Sequence, residues 1–158
     1  MLVTSEGVAF AHRTGTAKSL VEVIDDKVIY RLAVSAHDLS IALGYETDLE
    51  ALVPGERFAG PTSPLAGYLA RRLLVTSDGL PCAMAEPKVF YPAGADSLEV
   101  EIPFDCGAPL QRLGIRYLLF FDIDQDHQGL GRIVVWGRGK ERFLFDRTVN
   151  SFETVIER

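Results

Sequence analysis

The segment Leu98-Glu99-Val100-Glu101-Ile102-Pro103-Phe104 alternates apolar residues with charged residues or proline. This period of two buries one face of a β-strand and leaves the other wet. Val28-Ile29-Tyr30-Arg31-Leu32-Ala33-Val34 is apolar but for one charge. With Ser19–Ile24 it flanks Asp25-Asp26-Lys27, which predicts a hairpin. Leu73–Thr76 runs into the turn Ser77-Asp78-Gly79, and Arg142–Phe145 follows the turn Gly137-Arg138-Gly139-Lys140. Arg116–Phe121 and Arg132–Trp136 enclose a polar loop from Asp122 to Gly131. No long segment carries a helical period, and two short helices interrupt the strands. Ser35 can cap the first, which carries His37, Asp38, Ile41 and Ala42 and ends at Gly44. Thr62 or Ser63 can start the second, with Pro64 in its first turn and Leu65, Tyr68, Leu69 and Leu73 on one face. The expected fold is all-β: a two-sheet, immunoglobulin-like sandwich of seven to eight strands with two short helical insertions. A small closed barrel is the alternative.

At 158 residues, with 47% hydrophobic and 24% charged, the chain suits one domain, taken as residues 12–158. Residues 1–11 are read apart: Ala9 and Ala11 in Val8-Ala9-Phe10-Ala11 form the small-x-small pattern of a signal-peptidase site. No basic stretch or apolar core precedes them, so a signal-peptide remnant and a disordered tail are both open readings. No apolar run nears the roughly 18 residues of a membrane helix, so this chain is expected not to insert into a membrane directly. The formal net charge of −6 argues against nucleic acid and favours cations as small partners.

Hydrolase, nucleotide-binding and zinc-protease motifs are missing. Asp122-Ile123-Asp124-Gln125-Asp126-His127-Gln128-Gly129 is the densest chemical cluster. Alternating carboxylates across a turn suit a hard cation such as Ca²⁺, and an adjacent imidazole extends the choice to Ni, Cu or Zn. The candidate ligands are Asp122, Asp124, Asp126 and His127. The match to a helix-loop-helix calcium site is superficial, because His127 stands where glycine is needed and Ile133 where glutamate is needed. A solvated loop whose aspartates cap backbone amides is the plain alternative. His12 joins the candidates if cleavage follows Ala11, since a free amine beside an imidazole chelates Cu or Ni. His37 reads as a surface or capping residue; Phe120, Phe121 and Trp136 read as core. Cys82 and Cys106 fit no CxxC pattern, leaving a disulfide and two buried free thiols as alternatives.

The run Leu113-Gly114-Ile115-Arg116-Tyr117-Leu118-Leu119-Phe120-Phe121-Asp122-Ile123-Asp124-Gln125-Asp126-His127-Gln128-Gly129 resembles a segment in the extracytoplasmic amino-terminal region of bacterial HupE/UreJ-like membrane proteins. Asp78-Gly79-Leu80-Pro81-Cys82, Phe104-Asp105-Cys106, Ala36-His37-Asp38-Leu39 and Ser151-Phe152-Glu153 extend the similarity over most of residues 12–155. The resemblance implies a cleaved signal peptide, a Cys82–Cys106 disulfide and a sandwich in the periplasm or on the outer face of the cytoplasmic membrane. Its partner would be its own carboxy-terminal membrane domain, expected after Arg158, or another membrane protein. The implied function is a non-catalytic accessory domain, and the residues of its acidic loop add the expectation that this loop can bind a metal ion or a partner. An interaction or adhesion module without metal and a metal-assisted hydrolase are the alternatives.

Overall fold

The computed structural model describes residues 15–44, 63–90 and 97–157; His12 and the segment 1–11 lie outside the described residues. The alternating segment at Leu98–Phe104 forms the middle of β7 (Ser97–Asp105). Leu98, Val100, Ile102 and Phe104 point inward from it, each at most 3% exposed. Beside it lies β2 (Lys27–Ser35), which turns Val28, Tyr30, Leu32 and Val34 to the same side and forms a hairpin with β1 (Thr16–Ile24). β9 (Gln128–Val135) pairs with β1 in parallel, and β10 (Arg138–Phe145) adds to β9 antiparallel. β5 (Ala83–Met84) and β6 (Lys88–Phe90) occupy the other edge of β7, completing a seven-stranded sheet. The second sheet has four strands in the order β11 (Ser151–Val155), β8 (Arg112–Tyr117), β3 (Leu73–Ser77) and β4 (Leu80–Pro81). Val75, Leu113, Ile115 and Tyr117 from this sheet join the inward residues of the first in one buried cluster. The result is a two-sheet β-sandwich, as the strand pattern predicts.

Two helices interrupt it, each opened by a serine that accepts a backbone amide. Ser35 Oγ caps α1 (Ala36–Ala42) through Asp38 N at 3.0 Å, and Ser63 Oγ caps α2 (Pro64–Arg72) through Ala66 N at 3.1 Å.

The described residues hold eleven strands, more than expected, because β4, β5 and β6 are edge pieces of only two or three residues. Several boundaries also move, with β8 beginning at Arg112 and β10 at Arg138, each four residues earlier than the strand pattern predicts. β8 stops at Tyr117 and not at Phe121, since Phe120 adopts φ +67° and the chain leaves the sheet there. β9 begins at Gln128, inside the expected polar loop, because Gly129 and Gly131 lie under aromatic rings and fit a strand only without side chains. Trp136 is not core: it is 53% exposed and, with Gly137, turns the β9–β10 hairpin at positive φ.

Cys82 and Cys106 form a disulfide with Cα atoms 4.3 Å apart. Cys82 lies where the chain crosses from the smaller sheet to the larger, between β4 and β5, and its amide is bound to Val75 O. Cys106 lies where the chain leaves β7 on its way back to β8, its amide bound to Asp26 O. The bridge therefore fastens two crossings to each other.

Candidate functional site

The acidic segment lies at the other end of β8, where the chain crosses from the smaller sheet to the larger. Tyr117 and Leu118 are anchored first, by bonds from their amides to Asn150 O and Arg72 O. At Phe120 the left-handed backbone turns the amide onto Tyr68 Oη at 2.9 Å. That hydroxyl in turn donates to Asp122 Oδ1 at 3.1 Å. Arg72 completes this corner, with its guanidinium 4.2 Å from the Tyr68 ring centroid and 3.5 Å from Asp122 Oδ2. Burial keeps the Tyr68 phenol protonated well above its ordinary range. Asp122 is thus engaged by α2.

The chain then makes a tight turn, with the amides of Ile123 and Asp124 both donating to Phe120 O. Asp124 Oδ1 accepts the Asp126 amide at 2.9 Å, the local capping that aspartate provides in loops. Asp126 itself is exposed. His127 is only 1% exposed. Its ring stacks on Tyr117 with centroids 5.8 Å apart and meets the edges of Phe120 and Phe121 at 5.0 and 5.6 Å. Nε2 lies 2.7 Å from Tyr117 Oη, while Nδ1 is buried with no hydrogen-bond partner.

Two carboxylates act on this imidazole. Burial lowers its pKa, while Asp38 and Asp124 pull it upward less strongly. Asp38 is itself only 6% exposed, and its Oδ2 accepts the Gly15 amide at 3.3 Å. Gly15 O takes the amide of Gln128 at 2.7 Å, which sets β1 beside β9. A side chain on Gly15, at φ +110°, would run into Asp124 Oδ2. Gly15 thus lies against both Asp38 and Asp124, and both carboxylates act on His127.

Of the four loop candidates, the structure brings Asp124 and His127 into this cluster and places Asp122 and Asp126 apart from it. Among the described residues no group of three or more His, Cys, Asp or Glu side chains is placed to hold a metal ion. An open hollow of about 300 Å³ beside the loop includes Asp126, His127 and Asp146 in its lining. Asp146 Oδ1 is already committed to Thr148 N, Thr148 Oγ1 and Val149 N at 2.7–2.8 Å. His37 is exposed on α1, as a surface residue should be. Sequence reasoning missed Asp38, Tyr68 and Tyr117 as partners of the loop. Tyr68 was legible only as part of an apolar helix face, and an aspartate in a first helical turn is ordinarily solvated.

No family model matches the chain, and no curated protein matches it in sequence. No helix among the described residues is long and apolar enough to cross a membrane.

Proposed function

We propose that the chain is a non-catalytic, extracytoplasmic accessory domain of a HupE/UreJ-like bacterial membrane protein, serving its own membrane domain or another membrane protein. The Cys82–Cys106 bridge carries this reading, because disulfides persist where thiols are oxidised. The motif that carries the resemblance adds support: Asp122 holds α2 and His127 fills an aromatic nest, which are structural uses of residues that look like chemistry. The test is thiol titration in denaturant on protein recovered from its native host. Absence of free thiol is the expected result; two free thiols would remove the compartment from the proposal.

One observation favours the metal-binding form of this reading. If Nε2–H of His127 donates to Tyr117 Oη, the unpartnered Nδ1 carries a free lone pair, and the Asp38 and Asp124 carboxylates act electrostatically on the same ring. An imidazole held through its second nitrogen by an oxygen acceptor is the usual arrangement of a metal-ligating histidine. His12, the remaining candidate ligand, lies outside the described residues. Calorimetric titration with Ni²⁺, Cu²⁺, Zn²⁺ and Ca²⁺ on the chain starting at His12 should give heat that His127→Gln abolishes. No heat from any of the four ions would end this form.

A further inference from the structure

The wet face of the larger sheet holds a shallow groove of about 450 Å³, remote from the acidic loop in composition and charge. Strand register builds it. Arg142 on β10 stands directly opposite Arg132 on β9, which neighbours Leu20 on β1, which neighbours Arg31 on β2. In the adjoining row Leu144, Leu130, Lys18, Ala33 and Glu99 follow one another across five strands. Leu130 and Leu144 are 39% and 47% exposed.

Charge is unbalanced here in an unusual direction. The chain has 22 acidic residues against 16 Lys and Arg, so cations should readily find carboxylates. Arg31 does, lying 3.7 Å from Glu22 and 3.5 Å from Glu101. Lys18, Arg132 and Arg142 make no ion pair and no side-chain hydrogen bond among the described residues. Like charges directly opposite on neighbouring strands are destabilising. The Arg132–Arg142 pair is thus a repulsion within the fold that an anion would relieve, and guanidinium forks favour carboxylates.

We propose that this groove docks an acidic, amphipathic segment of a partner protein in extended conformation. Its carboxylates would lie on Lys18, Arg132 and Arg142, and its apolar side chains on Leu20, Leu130 and Leu144. Lys18 and Arg132 are diagonal neighbours on adjacent strands, about 7 Å apart. That matches the spacing of alternate side chains along an extended peptide. An anionic bilayer fits less well, because it is flat where the cations line a hollow, and it would repel a chain of net charge −6.

The probe is a fluorescein-labelled Glu-Ser-Glu-Ser-Leu-Ser-Leu peptide, whose carboxylates and leucines share one face when extended, titrated by anisotropy with a Lys-Ser-Lys-Ser-Leu-Ser-Leu peptide and phosphatidylglycerol vesicles as comparisons. The acidic peptide alone should bind, more weakly as salt rises. Arg142→Glu should weaken it at least about tenfold. The same variant turns the repulsive cross-strand pair into an attractive one, so its melting temperature should equal or exceed that of the unaltered chain. Such a result separates lost docking from lost folding. No binding of the acidic peptide, equal binding by Arg142→Glu, or binding of the vesicles alone would each overturn the proposal.

Discussion

Acidification from about pH 7.5 to about 5.5 should destabilise the domain through His127, and the size of the effect follows from its burial. In the folded chain the imidazole is 1% exposed and its pKa is lowered, burial outweighing the Asp38 and Asp124 carboxylates. In the unfolded chain a histidine takes up its proton near pH 6.5. Below that pH the unfolded state therefore binds more protons than the folded one, and stability falls as pH falls. A histidine that stays neutral on folding accounts for at most about 1.4 kcal/mol of loss over this window. That corresponds to a fall of roughly 3–5 °C in melting temperature for a domain of this size. Carboxylates ordinarily titrate well below this window. The assay is urea denaturation followed by far-ultraviolet circular dichroism at several pH values, on the unaltered chain and on His127→Gln. The variant should be less stable at neutral pH and nearly flat with pH. Parallel curves would refute the reasoning, because the imidazole would then be protonating in the folded state as freely as in the unfolded one. Asp38→Asn keeps an acceptor for the Gly15 amide but removes one upward pull on His127, so it should steepen the loss.

Other outcomes follow from single contacts. Tyr68→Phe leaves the buried Phe120 amide without its acceptor and should cost about 1–3 kcal/mol in urea denaturation. Asp122→Asn, at a site 43% exposed, should cost under about 1 kcal/mol. Replacing both Cys82 and Cys106 by Ala opens a 24-residue closure and should lower stability by about 3 kcal/mol on the chain-entropy model, read from the denaturation midpoint. Gly129→Ala places a methyl 2.9 Å from the Tyr117 ring, whose hydroxyl is tied to His127. The ring cannot swing aside, and a loss of about 1–3 kcal/mol is expected in the same assay.

What was legible in the sequence divides by the range of the interaction. Alternation at Leu98–Phe104 and Val28–Val34 is a local pattern, and the strands, the β1–β2 hairpin and both serine caps follow from it. The end of β8 was not legible, because Tyr117–Phe121 is uniformly apolar and only Tyr68, on a helix roughly fifty positions earlier, pulls Phe120 out of register. Gly129 and Gly131 misled in the same way. In a polar loop they read as turn residues, yet each is required by a ring from another strand. For the acidic loop the residue types were visible but their uses were not. Asp122 turns to α2, and His127 turns inward toward Asp38, a residue nearly ninety positions away on α1.

The crossings between the sheets explain why chemistry-bearing residues gather where they do. At one end of β8 the β4–β5 and β7–β8 crossings are joined covalently through Cys82 and Cys106. At its other end, Arg147 from the β10–β11 crossing bonds Gln125 of the β8–β9 crossing at 3.0 Å, and Asn150 O takes the Tyr117 amide. Tyr68, Asp122, Tyr117 and His127 reinforce that second junction from inside. A sandwich fixed at both ends cannot easily shear one sheet over the other. The row Arg142–Arg132–Leu20–Arg31 is therefore held at fixed backbone positions on the outer face of the larger sheet, and a docking partner would have to order only its side chains.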